Sequence, residues 1–381
     1  MAVSRAFRVR LLALTVALAA ARVGVSTQAP PPGPAASALR TAPVDVVVLD
    51  RNGAPVGNLS PGEFRVTLDG ERRTVAGLHY VVKGPDALAR ARTLATSARI
   101  PVSAEPSRLV VFAVDEDSMD PGTEKRAGVV VSRVLDLLAV NDRVLLVTLP
   151  YLSPNLLASQ DRGALRQGLP KIVGRAAPRA QFGLGTDPAA ISEDTRTTGN
   201  VEARVPPSAD AAAPTAGGSR SARAFAGLMD GLRVLPGSKT VFVFSSGGTA
   251  TVEPSGRRDS AFGFASVADA AVTARVVVHA VHVRGSSRRS DDDLEQLARL
   301  TGGRKQEATE EAAAALEPLR ETMSASYVLQ IERRPEDEGR VRRLRVSTTR
   351  RGMTVRSAAR WIARDDPPPA TLIVRTPEQE R

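Results

Sequence analysis

The chain has 381 residues, of which 42% are hydrophobic, so it is long enough to bury a sizeable core and to form two or three domains. Its net charge is +11, mostly from arginine, which suits polyanionic surfaces, but only 3% of the residues are aromatic, which argues against a nucleic-acid binder that stacks bases. The absence of cysteine excludes a disulfide framework, a lipid-modified cysteine and a cysteine nucleophile.

The first 26 residues have the pattern of an export signal. Arg5, Arg8 and Arg10 precede a short apolar run, and small residues follow it at 19–21. The run is too short for a comfortable membrane span, although further apolar residues at 23–25 leave an uncleaved anchor open. We therefore expect an exported protein, located in the periplasm, in the cell envelope or outside the cell, which is not an integral membrane protein if the signal is cleaved.

A Pro- and Ala-rich linker is expected at residues 27–42, and a small β module at residues 43–84. Residues 60–63 match a capping box at the start of one helical turn. The apolar segments 64–68 and 75–82 flank an Asp-Gly turn and predict a hairpin. A module of this size is too small to be stable alone.

Strands and helices alternate between residues 106 and 325. The predicted strands span 109–114, 144–149, 240–244 and 276–283, and the predicted helices span 127–138, 162–172, 222–235, 265–273, 291–300 and 313–322. Continuous apolar strands between amphipathic helices indicate a mostly parallel sheet with helices on both faces, a doubly wound α/β fold. Within it, residues 174–221 are poor in large apolar groups and rich in Pro, Gly, Ser and Thr, which predicts a disordered insertion.

The chain then returns to β structure. Residues 326–362 are predicted to form a C-terminal β segment, and residues 363–381, with three consecutive prolines, a loose tail. The sequence leaves open whether the first and last β segments join in one sheet. Burial of Phe64, Tyr80 and Tyr327 in one cluster would indicate that they do.

A group of acidic residues follows the first strand of the α/β region. The apolar residues 111–114 run directly into Asp115, Glu116 and Asp117. In doubly wound folds ligands bind beyond the carboxyl ends of the strands, and a Ser-Ser-Gly-Gly sequence at 245–248 follows another such end. Acidic loops are usually solvated, so the pattern is compatible with a metal site, with the remnant of one, or with a solvated loop.

The order of these elements resembles that of von Willebrand factor type A domain proteins, in particular the bacterial exported "VWFA-related" group. The segments that carry the resemblance are 44–70, 236–248 and 326–331, and it covers about residues 43–362. In that group a short β module precedes the type A domain and β strands follow it. The resemblance therefore implies a Rossmann-like type A domain at residues 106–325.

In type A domains an Asp-x-Ser-x-Ser loop, a Thr from a second loop and an Asp after the fourth strand coordinate Mg²⁺. By resemblance, Asp115 occupies the place of the first Asp and Asp117 that of the first Ser. Ser246 occupies the place of the later Asp, and Ser219 or Ser221 is nearest to that of the Thr. The metal-site residues implied are Asp115, Asp117, Ser219 and Ser246.

The implied metal motif is degenerate. Met119 stands where the family has its second Ser and offers no oxygen, whereas Mg²⁺ requires near-octahedral oxygen coordination. One carboxylate is gained at Asp117 and one is lost at Ser246. The sequence therefore favours a metal-free loop over a retained site for Mg²⁺ or another divalent cation.

By the same resemblance, the function is protein–protein or surface-ligand binding of the adhesion type, without enzymatic activity. The partner would be a protein or a cell-surface ligand, and no nucleic acid is expected. Two alternatives stay open: a purely structural envelope component, and a serine hydrolase with Ser246 as nucleophile and His282 as base. The sequence around Ser246 lacks the Gly-x-Ser-x-Gly elbow that positions the nucleophile of such hydrolases.

His279 and His282 form a His-x-x-His pattern that could bind a metal on a helix. On the predicted strand they would face opposite sides, so that they cannot share an ion.

Overall fold

The computed structural model describes residues 40–98, 100–152, 161–176, 216–247, 251–252, 258–259, 264–285, 292–308, 319–320, 322–363 and 372–374. The described residues belong to one compact unit that contains an α/β domain and a β-sandwich. The predicted export signal and most of the predicted linker lie outside the described residues. Among the described residues, no helix has the length and apolar character needed to cross a membrane.

The strands are β1 (Thr41–Leu49), β2 (Phe64–Leu68), β3 (Glu71–Arg73), β4 (Val75–Lys83), β5 (Val102–Glu105), β6 (Leu109–Asp115), β7 (Arg143–Leu149), β8 (Lys239–Ser245), β9 (Thr251–Val252), β10 (Arg258–Asp259), β11 (Val276–His282), β12 (Lys305–Glu307), β13 (Ala325–Glu332), β14 (Val341–Thr348), β15 (Thr354–Ser357), β16 (Arg360–Ile362) and β17 (Leu372–Val374). The helices are α1 (Ala87–Ala95), α2 (Glu124–Leu137), α3 (Arg162–Gly168), α4 (Ala216–Arg233), α5 (Phe264–Thr273) and α6 (Asp292–Thr301). The short strands β9 and β10 pair with each other.

The α/β domain is built on a parallel sheet with the strand order β12-β11-β8-β6-β7. From β6 the chain passes to β7 on one side and later to β8 on the other. The carboxyl ends of β6 and β8 therefore flank the point where the strand order reverses, which is the usual ligand position in open α/β sheets. The predicted fold class, a doubly wound and mostly parallel sheet with a flanking β module, is confirmed.

Helices cover both faces of the parallel sheet. One face carries Phe112, Phe242 and Phe244 and packs against the buried stripe of α2, while the other packs against α4, α5 and α6. The rings of Phe112 and Phe242 stack with their centroids 5.8 Å apart and are fully buried. Burial of a side chain of this size stabilises the fold by about 1.5–3 kcal/mol.

The sandwich is formed by a six-stranded sheet, β15-β1-β13-β4-β5-β17, and a four-stranded sheet, β16-β14-β2-β3. Strand β13 pairs antiparallel with both β1 and β4, so the first and last β segments do join in one sheet. The ring centroid of Tyr327 lies 5.3 Å from that of Phe64 and 4.8 Å from that of Tyr80. The Tyr327 hydroxyl accepts a hydrogen bond from the Leu59 N–H at 3.0 Å, which fixes the chain between the sheets.

The predicted hairpin between 64–68 and 75–82 is wrong in its second strand. The turn residues Asp69 and Gly70 have φ values of 50° and 91°, as in a tight two-residue hairpin, and they pair β2 with the intervening β3. Strand β4 then enters the other sheet beside β13. There its alternate apolar side chains face the sandwich core.

Two short helical segments border the sandwich strands. The capping box predicted at 60–63 is present, with the Ser60 N–H donating to Glu63 Oε2 at 2.8 Å. Helix α1 was not predicted, because its buried side chains are only Ala87, Ala91 and Ala95. These alanines recur every four residues and form a narrow stripe against the sheet.

Two predictions of disorder are wrong in part. The insertion is predicted at 174–221, but the backbone N–H groups of Arg175 and Ala176 donate to the acidic loop, residues 115–120, and α4 begins at Ala216. Residues 177–215 lie outside the described residues. In the tail predicted to be loose, 363–381, residues Leu372–Val374 form β17, which pairs with β5.

Ion pairs between arginine and aspartate side chains join the sandwich to the α/β domain. Arg275 donates to both carboxylate oxygens of Asp45 at 2.8 and 2.7 Å, and Arg360 lies 2.8 Å from Asp269. Burial would raise the pKa of Asp45, but the charge and hydrogen bonds of Arg275 hold it below its usual value. Asp45 therefore remains ionised at the junction.

Candidate functional site

The acidic loop begins where β6 leaves the sheet. All seven residues of β6 are buried, and the strand ends at Asp115, whose exposed fraction is 3%. A single 3₁₀ turn, Glu116–Ser118, follows directly. The buried strand thereby fixes the Asp115 carboxylate at the point where the strand order reverses.

Serine hydroxyls surround the Asp115 carboxylate. Ser221, on α4, donates to Oδ1 at 2.6 Å, and Ser245, at the end of β8, donates to Oδ2 at 3.1 Å. The Ser118 hydroxyl donates to the Asp115 carbonyl at 2.8 Å and accepts the Ser246 N–H at 3.0 Å. Ser245 Oγ also lies 3.0 Å from Ser118 Oγ, so the three hydroxyls and Asp115 form one hydrogen-bonded network.

The environment raises the pKa of Asp115. Burial is the main cause, the hydroxyls of Ser221, Ser245 and Ser118 oppose it, and the nearby Asp117 adds to the rise. A raised pKa in the folded state means that this group stabilises the fold below its unfolded pKa of about 3.8 and loses that contribution as the pH rises through the folded value. At neutral pH the buried charge therefore costs stability, as is common for residues kept for function.

We expect Asp115→Asn to melt at a higher temperature than the wild type at pH 7. The amide is neutral, yet it still accepts a hydrogen bond, so it removes the cost of the buried charge. The difference should narrow as the pH falls towards 4, as measured by thermal unfolding at both pH values. Asp86→Asn, at an exposed position, serves as the control. A lower melting temperature for Asp115→Asn at pH 7 would show that the hydroxyls need the charged carboxylate.

Asp117 is held beside an arginine. Its side chain is 9% exposed, and its Oδ2 lies 3.5 Å from Nη2 of Arg220. That oxygen has no hydrogen-bond partner among the described residues. Burial raises the pKa of Asp117, and Arg220 and Arg175 act against the rise.

The segment 172–176 crosses the acidic loop. Glu116 accepts hydrogen bonds from the Val173 N–H at 3.1 Å and from Nε of Arg175 at 2.9 Å. The Ala176 N–H donates to the Met119 carbonyl at 2.9 Å, and the Met119 side chain is fully buried in the core. Glu116 therefore anchors this segment, which places Arg175 next to Asp117.

The predicted site residues are only partly brought together. Asp115 and Asp117 lie at the expected edge of the sheet, but the Ser246 hydroxyl donates to the Val283 carbonyl at 2.7 Å. Ser219 lies in the first turn of α4, where side chains are not described, and Ser221 makes the contact with Asp115.

Ser118 and Ser245 are site residues that the sequence did not predict. Their signal is their position at the carboxyl ends of β6 and β8, which only the sheet order makes adjacent.

The residues of the proposed hydrolase are engaged elsewhere. The Ser246 hydrogen is given to the Val283 carbonyl, and His282 Nδ1 lies 3.0 Å from Glu307 Oε2. His279 Nδ1 accepts the Arg304 N–H at 3.2 Å.

The donor set does not fit the Mg²⁺ site of the type A family. Both oxygens of Asp115 accept hydroxyl hydrogens, Met119 points into the core, and Asp117 faces the guanidinium of Arg220. Among the described residues, no group of three or more His, Asp or Glu is placed to hold a metal ion. The guanidinium of Arg220 supplies a positive charge beside Asp117.

No protein-family model matches the sequence, and no curated protein matches it. Solved structures that resemble it include a von Willebrand factor type A protein from Catenulispora acidiphila, with 11% identity and a TM-score of 0.32, covering 86% of this chain and 75% of that one. Another is the human COPII-coat protein Sec24c, with 11% identity and a TM-score of 0.34, covering 77% of this chain and 48% of that one. The chain thus spans about half the length of Sec24c. Similarities this low do not assign a family, and the fold class stands on the observed strand order and helices.

Proposed function

We propose that the protein is an exported interaction module of the von Willebrand factor type A kind, without catalytic activity, that binds a protein or surface ligand at the carboxyl edge of its parallel sheet. The observation that carries the proposal is the pair formed by the buried carboxylate of Asp115 and the largely buried carboxylate of Asp117, at the reversal of strand order. Keeping two such groups near each other costs stability, which a binding role would explain. Export is proposed from the pattern of residues 1–26.

The rim cluster, formed by Asp115, Asp117, Tyr151, Arg175 and Arg220, has charges suited to an acidic partner. The side chains of Arg175 and Arg220 are 50% and 56% exposed, and each is anchored to a carboxylate of the acidic loop. Their remaining N–H groups can donate to a carboxylate of the partner. We infer that these two guanidiniums supply the positive charge that a metal supplies in the family.

An aromatic side chain extends the rim cluster. Tyr151 is 54% exposed, and the guanidinium carbon of Arg175 lies 5.3 Å from its ring centroid. Exposed pairs of this type are frequent at binding hot spots, because they bury a large area with little loss of side-chain freedom. A partner that covered Tyr151 would also desolvate the Arg175 charge and strengthen its bond to an acidic group.

Thermal unfolding with millimolar Mg²⁺, Mn²⁺ or Ca²⁺ tests the metal-free form of the proposal. We expect no rise in melting temperature, since an ion that binds only the folded state would raise it. Asp115→Ala/Asp117→Ala is the matched variant. A rise in the wild type that is lost in this variant would contradict the proposal and would favour a metal-bridged partner.

Binding of a Glu-rich peptide tests the role of the arginines. We expect the peptide to bind in the presence of a chelator, and its affinity to fall about tenfold or more in Arg175→Gln/Arg220→Gln, because charge-assisted hydrogen bonds are lost. Arg90→Gln, which removes an exposed arginine on α1, is the control. Equal binding by all three proteins would place the partner surface elsewhere.

A serine-directed probe tests the alternative of a hydrolase. Covalent labelling of Ser246 by such a probe would favour that alternative.

A further inference from the structure

A cavity of about 110 Å³ lies at the junction between the sandwich and the α/β domain. Its walls come from β1, β13, β15 and β16 of the sandwich and from β8 and β11 of the parallel sheet. Lys239 and Val276, which begin β8 and β11, are among the lining residues. The cavity therefore opens at the amino ends of the parallel strands, at the opposite edge from the rim cluster.

Strand register explains why polar side chains face this cavity. In β1 the side chains of Val46 and its alternate neighbours enter the sandwich core, so Val47 faces the other way. Arg356 of β15 is the direct partner of Val47, whereas Tyr327 of β13 pairs with Val46. Ser326, next to Tyr327, therefore lies on the same face as Val47 and Arg356.

Three hydrogen-bond donors at the cavity lack partners. Ser326 and Trp361 are 4% and 3% exposed, and Ser326 Oγ and Trp361 Nε1 have no hydrogen-bond partner among the described residues. The same holds for Nε of Arg356. Buried donors nearly always have partners, so three at one cavity indicate a group that accepts hydrogen bonds there.

The charge at the cavity points to an anion. Arg108 is paired with Asp142, Arg275 with Asp45, and Arg360 with Asp269. Arg356 has no ion pair among the described residues. Burial and the neighbouring Arg304 lower its pKa, which is the sign of an uncompensated positive charge.

His279 adds a fourth donor. Its Nδ1 accepts the Arg304 N–H at 3.2 Å, so the hydrogen of the neutral ring is carried by Nε2. Burial is the main cause that lowers the pKa of His279 to about 3, and Arg356 and Arg304 add to it. The ring is therefore neutral at physiological pH.

We propose that this cavity binds a small oxyanion, a carboxylate, phosphate or sulfate group, through Arg356, Trp361, Ser326 and His279. The volume suits a group of this size. Because the sandwich contributes three of these residues and the α/β domain the fourth, the bound anion would tie the two together.

The test uses Trp361, the only tryptophan in the sequence, as its reporter. The full chain is titrated with phosphate, sulfate and acetate at constant ionic strength set by chloride, and Trp361 fluorescence and the melting temperature are recorded. We expect a saturable change in fluorescence and a higher melting temperature with at least one of the three anions. The anion with the highest affinity identifies the group.

Arg356→Gln should weaken the apparent affinity by about tenfold or more. Arg345→Gln, on the neighbouring strand β14, removes an exposed charge and should leave the titration unchanged. Equal responses to chloride and to all three oxyanions, or the same titration curve for Arg356→Gln and the wild type, would overturn the proposal.

A second variant covers the case in which Arg356→Gln folds poorly. In chloride alone we expect Arg356→Gln to melt no lower than the wild type, because the substitution removes an uncompensated charge. Ser326→Ala keeps the charge and removes one donor, so it should bind the anion more weakly while retaining the wild-type fluorescence in chloride. An unchanged affinity in Ser326→Ala would remove the hydroxyl from the site and contradict the proposal as stated.

Discussion

Asp142→Ala should lower the free energy of unfolding by about 3–5 kcal/mol, as measured by urea denaturation. Asp142 is fully buried, and its Oδ1 accepts the N–H of Arg108 at 3.0 Å and Nε of the same residue at 3.0 Å. Its Oδ2 accepts the Ala139 N–H at 2.9 Å and Nη2 of Arg108. Without the carboxylate, the buried guanidinium of Arg108 would keep only its bond to the Met323 carbonyl among the described residues, and two backbone N–H groups would lose this acceptor.

Asp136→Ala is the matched control for this substitution. Asp136 pairs with Arg166 on the surface, where both side chains are largely exposed. Such pairs contribute about 0–1 kcal/mol because water screens them. Similar losses in the two variants would show that the Arg108–Asp142 pair does not hold the start of β6 to the loop before β7.

Gly174→Ala should cost about 1–3 kcal/mol and should reduce binding at the rim cluster. A Cβ at this position would lie 2.5 Å from the Asp120 carbonyl oxygen and 2.7 Å from that of Met119, both of which are backbone atoms that cannot rotate away. The segment 172–176 would have to move off the acidic loop and would carry Arg175 with it. Urea denaturation and binding of the Glu-rich peptide measure the two effects.

Gly227→Ala makes the same chemical change but is expected to raise the free energy of unfolding instead of lowering it. Gly227 lies inside α4, and a Cβ there meets nothing within 4 Å. Alanine in a helix is favoured over glycine by about 0.5–1 kcal/mol, so this variant should be more stable than the wild type. If Gly174→Ala behaved in the same way, the close contact with the acidic loop would not constrain the rim.

The α/β domain was predictable because its signals are local. Strands buried on both faces, such as β6 and β8, are continuous apolar runs, and the helices between them have a clear apolar stripe. The sandwich was not predictable in the same way. Strand β13 lies between β1 and β4, which precede it by more than two hundred residues, and no local pattern states which distant strands will pair.

The residues of the candidate site also differ in whether a local sequence pattern reveals them. Asp115 and Asp117 were predicted because carboxylates at the end of an apolar strand are conspicuous. Ser118 and Ser245 were not, since a serine has a hydroxyl in any setting and only the order of the strands brings these two to Asp115. The junction cavity could not be predicted from the sequence, because its proposed donors come from four separate strands, β11, β13, β15 and β16.

The position of the α/β domain within the chain has a mechanical consequence. The domain leaves the sandwich after β5 and returns at β13, and both strands pair with β4, so its two points of attachment are about 10 Å apart. Strand β1, near one end of the described chain, pairs directly with β13 and β15 near the other. Because both pairings are antiparallel, tension between these ends would open the hydrogen bonds of β1 one after another. The parallel sheet would stay outside the line of force, and the rim would keep its shape while the sandwich bears the pull.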